Sequence, residues 1–450
     1  MRDTSETIDI VVVGAGGCGM VASLRAAANG ARVLILEKTG AAGGGTAMAT
    51  QSIRAAGSRA QRDAGVDDDP ERLTADIMLR NDGTGDLELT QALARVSGEM
   101  VDFLEGATEV RFQVSPFSFG HNVQRSHVWP ENRVITDFLY DVVRRHPSIE
   151  VRFDTPVTGL LVDGDGAVQG VRTGSHDVLA KRTILAAGGF NASYTMISRY
   201  IPIAADIPVI GHPGTDGDVM GMAVEAGAVL KNMDSFQPYP AYIMPSHRSV
   251  APQVIFSGGI MVDLDGRRFI NEMRYPGPLS TAMLDLPGKG AFEIFDQAIF
   301  DQHADSTAHD GVLRILAAEG ILKRSEDLAG LASQLGIDPE GLQGTIADHA
   351  RAAGATDAFG REIARVLVAP YYGIEVRVAL YQTQGGVKVN GKAEVVQADG
   401  TPIPNLLAGG GMVSGISGPG SAGYLPGNGL LTSLGLGYVA GREAARSIAS

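Results

Sequence analysis

Gly14, Gly16 and Gly19 stand as G-x-G-x-x-G, and Glu37 follows Gly14 by 23 positions (37 − 14). Those residue types at that spacing suit one task, holding a pyrophosphate-linked nucleotide. Gly14 permits a tight turn, Gly16 lets the backbone through Ala15 approach a phosphate, and Gly19 lets a helix lie on a strand. A carboxylate at Glu37 stands where two ribose hydroxyls need an acceptor, and an acid there argues against a 2′-phosphate. Glycine makes up 59 of the 450 residues, so the motif has meaning only if the flanking elements fit.

They fit. Ile8 to Val13 is an apolar, β-branched run suited to a strand buried on both faces of a parallel sheet. Gly17 to Asn29 reads as a helix whose first amides are free for phosphate, and Gly30 closes it. Arg32 to Leu36 forms the next strand, and Glu37 ends it. The stretch Thr7 to Lys38 is therefore predicted as one βαβ unit. At 450 residues the chain is long for one core, which predicts two domains. A net charge of −14 without a basic run disfavours nucleic acid and anionic membranes as partners. No apolar run reaches membrane-spanning length, and the start MRDTSETIDI carries no apolar leader, so cytoplasmic residence without membrane insertion is expected. The single cysteine, Cys18, lies in the glycine turn and reads as a packing thiol. No metal site is expected.

A second flexible run, Gly40 to Thr46 with Gly44 and Gly45, follows the ribose-binding strand directly. An NAD-binding unit does not need it, whereas an extended FAD lying across the sheet does. Glu37-Lys38 followed by Gly-Gly-x-Thr resembles the flavoproteins grouped around fumarate reductase, succinate dehydrogenase and the 3-ketosteroid dehydrogenases. Later stretches repeat the resemblance: Arg125-Ser-His127 with Trp129-Pro130, Ile184-Leu-Ala-Ala187-Gly188-Gly-Phe190, Gly214-Thr-Asp-Gly-Asp218, Gly385 to Asn390, Pro404 to Gly410, and Gly427-Asn428-Gly429-Leu430-Leu431. It spans Ile8 to Ala445. It implies FAD held without a covalent bond, since no histidine occurs between Gly43 and Ser52. It also implies adenine held by the Val157 backbone, close approach at Ala187, Gly188 and Gly410, and a last helix whose Asn428 to Leu431 amides face the flavin pyrimidine. Gly411 stands where the family usually has a glutamate. His127 is read as structural.

The implied fold is α/β, a Rossmann-like FAD-binding domain of glutathione-reductase-type βαβ with an inserted α+β cap domain. The expected divisions are 1–235 and 373–450 for FAD binding and 236–372 for the cap. Surface helices are predicted across 67–105, and a helix from Val219 capped by Asp216 or Asp218. In the cap, helices are predicted over Ala291 to Phe300, Gly311 to Glu319, and Asp338 to Ala353, the last with Asp338-Pro339 as N-cap and N1. A closing helix is predicted over Leu430 to Ile448.

In fumarate reductases of this family one cap arginine donates the proton and a second clamps a carboxylate, assisted by two histidines, a task for the guanidinium fork. In this sequence Tyr275-Pro276 follows Asn271-Glu272 where the first arginine would stand, and Tyr424 precedes Leu425-Pro426-Gly427 in place of the second. Tyr239, and Tyr381 or Gln382, occupy the histidine positions. Replacement by phenols resembles the 3-ketosteroid dehydrogenase branch and implies a neutral ketone as the small-molecule substrate. The resemblance casts Tyr275 as the base for the α-proton, Tyr424 as the carbonyl donor assisted by the Gly427 amide, and Tyr381 as relay or alternative base. Tyr239, Gln382 and Trp129 become substrate wall. A phenol titrates at roughly 10, so the base role requires surroundings that lower that value. The expected activity is FAD-dependent dehydrogenation of the α,β carbon pair of a cyclic ketone, 3-ketosteroid or cyclohexanone type, with electrons passing to an external acceptor. The alternatives are the same chemistry reversed, as a reductase of an activated C=C bond, and a flavin-fold protein that binds without catalysis.

Overall fold

The computed structural model describes residues 7–49, 52–118, 120–129, 133–250, 252–305 and 311–449; Pro130 lies outside them. The chain divides into one unit of residues 1–205, 210–237 and 382–450, and a second of 206–209 and 238–381.

The first unit is built on an eight-stranded sheet. Its main path runs Glu394–Val396, Pro402–Ala408, Asp177–Leu185, Thr7–Val13, Val33–Leu36, Ile149–Arg152. Thr7–Val13 pairs in parallel on both sides, with Val13 opposite Leu36 and Leu185. Ile10, Val11 and Val12 are completely enclosed, as an unbroken apolar run in a parallel strand requires. A hairpin, Val157–Val162 with Val168–Thr173, attaches antiparallel to Asp177–Leu185. The opening helix Gly17–Ala27 and the closing helix Asn428–Ala449 pack together. Their glycines set the spacing: a Cβ at Gly441 would stand 2.2 Å from the Ala22 carbonyl oxygen, and one at Gly437 2.4 Å from that of Cys18.

Two local expectations are corrected here. Helices do form in the 67–105 region, Pro70–Arg80 and Leu87–Ala107, each with an aspartate side chain on its first free amides. The second is not a surface helix, because Leu89, Leu93, Met100, Val101 and Leu104 are buried and it packs on the closing helix. The helix Asp218–Glu225 is capped by Gly217 in left-handed conformation rather than by Asp216 or Asp218. The Asp216 carboxylate, one place further out, is shared between Lys38 at 2.5 Å and the Asp218 N–H at 3.3 Å.

The second unit centres on a six-stranded sheet, ordered Arg248–Ser249, Phe236–Ile243, Tyr371–Thr383, Gly290–Asp296, Ile260–Val262, with Lys323–Ser325 against the long strand. Ala291 to Phe295 is thus a strand and not the predicted helix, and only Gln297–His303 is helical. Both faces of this strand are buried, so its sequence shows no alternation to separate it from a buried helix. The unit also ends at Tyr381 rather than at 372, since the strand Tyr371–Thr383 is one of its central members. The helix Pro339–Arg351 begins as predicted, with an Asp338 carboxylate oxygen accepting the Gly341 N–H at 2.8 Å. Among the described residues no helix is long and apolar enough to cross a membrane, and no group of His, Cys, Asp and Glu could hold a metal ion.

Candidate active site

The glycine turn is shaped by contact. Gly14 has φ +106°, and a Cβ there would lie 2.6 Å from the Ala186 carbonyl oxygen; a Cβ at Gly19 would lie 2.0 Å from that of Gly14. At Gly16 the nearest atom to such a Cβ is the Gly43 oxygen at 3.8 Å, and nothing lies within 4 Å at Gly45. Backbone is therefore open to a ligand before the helix start, where the first amides and the helix dipole favour phosphate. The second glycine run folds back on the first, the Gly43 N–H donating to the Ala15 carbonyl at 2.9 Å, and Thr46 lies against Gly17. Glu37 accepts from the Ala15 N–H at 2.9 Å, from the Thr39 N–H at 2.9 Å and from the Thr39 hydroxyl at 2.8 Å, which fixes a carboxylate at the sugar position. Its own carbonyl accepts the Thr155 N–H at 2.8 Å, bringing the strand that starts at Val157 alongside. Gly188 turns at φ +82° against Thr215, and Gly410 at φ +73° against Cys18. The Cys18 thiol, pushed up to about 12 by burial, is the expected packing group. Asn428 donates to Ser417 at 3.1 Å, and Ser417 to Gln384 at 3.1 Å, pinning the closing helix at its first residue. Gln382 donates to Gln237 at 2.9 Å and lies over Gly429. A glycine turn open at Gly16 and Gly45, with an acid on its sugar side, fits FAD.

The same unit holds Tyr424, 7% exposed. Burial raises its pKa above the ordinary phenol value, while the Gly429 and Gly427 N–H groups donating to its oxygen and the charge of Arg54 act in the opposite direction. Arg54 is the residue that reading the sequence missed. It sits on the short strand Ile53–Arg54, opposite Ser126 of the neighbouring strand. Burial pushes its guanidinium down to about 10, with Tyr424 opposing. It donates to Ser52, and its Nε is buried with no hydrogen-bond partner among the described residues. A cation thus stands beside a phenol that was expected to have replaced one. His121 donates from Nε2 to the Pro426 carbonyl at 2.9 Å and is pushed down to about 4 by burial, so it is neutral. Trp129, expected as substrate wall, is packing instead: it is 4% exposed, its indole N–H donates to the Arg133 carbonyl at 2.7 Å, and Phe112 meets it edge-on. His127 is structural as expected, fully enclosed between Ser58 at 2.6 Å and the Arg125 carbonyl at 2.9 Å.

In the second unit Tyr275 and Tyr239 meet edge to face, centroids 6.3 Å apart at 88°, and Phe256 covers Tyr275 at 5.6 Å. The Tyr239 hydroxyl donates to the Val250 carbonyl at 3.0 Å. Burial first, then Tyr239, then Glu293 push the Tyr275 pKa well above the ordinary value, and burial pushes Tyr239 up to about 12. The environment expected to lower the Tyr275 value raises it, because a phenolate would be desolvated beside a second phenol. The loop carrying Tyr275 is fastened three residues upstream. Glu272, completely buried, accepts from Arg268 at 2.7 and 2.8 Å and from Arg361 at 2.8 Å, and Arg361 also donates to the Gly259 and Ile255 carbonyls. Tyr381 closes this unit near the end of the long strand.

A family model described as FAD binding domain matches residues 9–430. The fumarate reductase (cytochrome) of Shewanella frigidimarina is 30% identical over 98% of this chain and 77% of its own length. Urocanate reductase of Eggerthella lenta is 30% identical over 90% of this chain and 69% of its own. The open conformation of a flavocytochrome c3 fumarate reductase superposes with a TM-score of 0.80 at 29% identity, covering 98% of this chain and 78% of that one. The 3-ketosteroid-delta4-(5alpha)-dehydrogenase of Rhodococcus jostii RHA1, in complex with 4-androstene-3,17-dione, does so with 0.81 at 25% identity, covering 98% and 97%. With a full-length match and a groove that fits the cofactor, the chain belongs to the FAD-binding family of the fumarate reductases and is an FAD-dependent oxidoreductase acting on C=C and CH–CH bonds.

Proposed function

We propose that the chain interconverts the saturated and unsaturated forms of a carbon pair next to a ketone, and that it favours reduction of the double bond. The carrying observation is the protonated Tyr275, whose raised pKa makes it a proton donor at neutral pH rather than a base. Bound FAD would supply the hydride chemistry at the β-carbon of such a pair. Tyr275 delivers the proton to the α-carbon. Tyr424 turns its O–H to the substrate carbonyl, since its oxygen already receives two amide hydrogens that strengthen it as a donor. Arg54 adds positive charge where the enolate oxygen develops. Tyr381 and Gln382 are assigned to the substrate wall. The absence of arginine at both family positions, with Tyr424 at one and Pro276 beside Tyr275 at the other, supports a ketone over a dicarboxylate.

The second reading runs the same residues backwards as a dehydrogenase. The likeness to the Rhodococcus 3-ketosteroid dehydrogenase favours it, but it needs Tyr275 to lose its proton first. Anaerobic mixing separates the two. Reduced enzyme is expected to be reoxidised by a cyclic enone faster than by fumarate or urocanate, and oxidised enzyme to bleach slowly with the saturated ketone, faster only at alkaline pH. Faster reoxidation by fumarate would overturn the ketone reading, and rapid bleaching at neutral pH the direction.

A further inference from the structure

We propose that His121 is a positioning residue for Tyr424: locked in one tautomer by Arg125, it grips the Pro426 carbonyl and so sets where the phenol stands. The inference rests on Tyr424 being the carbonyl donor.

The stretch Tyr424 to Gly427 belongs to no helix or strand and leads directly into the helix Asn428–Ala449. Each of its four carbonyls nevertheless receives a donor. Two donors are local, the Asn428 N–H on Leu425 at 3.0 Å and the Leu431 N–H on Gly427 at 2.9 Å. The other two are side chains 344 and 305 positions away: Arg80 Nε donates to the Tyr424 carbonyl at 3.3 Å, and His121 Nε2 to that of Pro426 at 2.9 Å. The loop carrying His121 is seated on the same stretch, since a Cβ at Gly120 would stand 3.0 Å from Leu425 Cδ1 and 3.7 Å from Pro426 Cδ.

The direction of the His121 bond is fixed from behind. Arg125 Nη1 lies 3.4 Å from His121 Nδ1, and a guanidinium can only donate, so Nδ1 accepts and Nε2 carries the hydrogen. Arg125 is itself immobilised. It is completely enclosed, with Asp68 accepting from Nε at 2.7 Å and from Nη2 at 2.8 Å, and Asp76 accepting from Nη1. Asp76 stands one turn before Arg80 on the helix Pro70–Arg80. Both side-chain grips on the tyrosine stretch, the direct one from Arg80 and the relayed one through Arg125 and His121, therefore start from one helix. A hydrogen-bond donor to a reacting carbonyl needs that fixity, because a displacement of about 1 Å can cost on the order of 10²-fold in rate.

His121→Gln keeps an N–H for Pro426 and an amide oxygen for Arg125, whereas His121→Phe keeps the bulk of a ring and neither group. In the FAD-loaded full chain, kcat for reduction of a cyclic enone is expected to fall roughly tenfold or more in His121→Phe and to return largely in His121→Gln. The same His121→Phe change made in Tyr424→Phe should cost nothing further, because the group it positions has gone. A histidine that only supports the fold would subtract its own effect in both backgrounds. Nitrogen NMR of the wild-type chain labelled at histidine, assigned by the signal lost in His121→Gln, should show a neutral Nε2–H ring at pH 7, and it decides the matter if His121→Phe does not fold. An unchanged kcat in His121→Phe, an equal further loss in the Tyr424→Phe background, or an Nδ1–H ring overturns the proposal. Normal turnover in Tyr424→Phe rejects instead the functional reading beneath it.

Discussion

The Arg54 side chain passes so close to Gly427 that a Cβ on that glycine would come within 2.0 Å of the arginine Cγ. Gly427 also holds φ +103°, where an L side chain is strained. Gly427→Ala is therefore expected to displace Arg54 as well as strain the turn. Strain alone costs about 1–2 kcal/mol. The expected result is a modest fall in Tm with a disproportionate loss of kcat/KM, matched by Arg54→Met at unchanged Tm. A Gly427→Ala enzyme with full kcat/KM would separate Arg54 from the reaction.

Tyr275→Phe removes one oxygen and keeps the ring that Tyr239 and Phe256 meet edge-on. Roughly 10²-fold or more of the rate should vanish, the usual share of a general acid, with the flavin absorption bands retained. Stopped-flow oxidation of reduced enzyme by enone measures it.

The Glu293 carboxyl ties stability to pH. Its value rises from 4.5 to about 8 on folding, so between those limits the unfolded chain releases a proton that the folded chain keeps. Stability of the wild type consequently declines as pH rises through that window, and levels off above it. Glu293→Gln lacks this slope. The Tm of the variant should gain on the wild type from about pH 5 to about pH 8 by calorimetry; a constant difference would place the carboxyl's ionisation elsewhere.

Gly14→Ala drives a methyl toward the Ala186 carbonyl and needs an L residue at φ +106°. The expected outcome is apoprotein after purification, read as loss of the 450-nm region absorbance typical of flavin, with far-ultraviolet dichroism little changed.

How far the sequence was legible follows from how local each cause is. The βαβ unit, the Asp338 cap and the closing helix are written in neighbouring residues, and all three form. The strand at Ala291–Phe295 was misread because burial on both faces erases the period that distinguishes strand from helix. Asp216 stands one place before the cap residue Gly217, and its carboxylate divides between the Asp218 N–H and Lys38, a partner 178 positions away that no local pattern reveals. Arg54 was passed over because nothing in Ser52-Ile-Arg-Ala-Ala56 marks its meeting with Tyr424. The two phenols at Tyr275 and Tyr239 were visible as residue types, but the sign of their pKa shifts depends on enclosure, which composition does not carry.

The order in which strands join the large sheet has a consequence for biosynthesis. Pro402–Ala408 must lie beside Asp177–Leu185, and the helix from Asn428 onward must seat on Gly17–Ala27, before the groove around Gly14 is complete. Those partners leave the ribosome hundreds of residues apart. The sheet that contains Tyr275's neighbours is drawn almost wholly from one continuous segment, 238–381, and is available for folding sooner. Nascent chains should thus acquire the tyrosine-bearing unit first and capture flavin only at the end of synthesis.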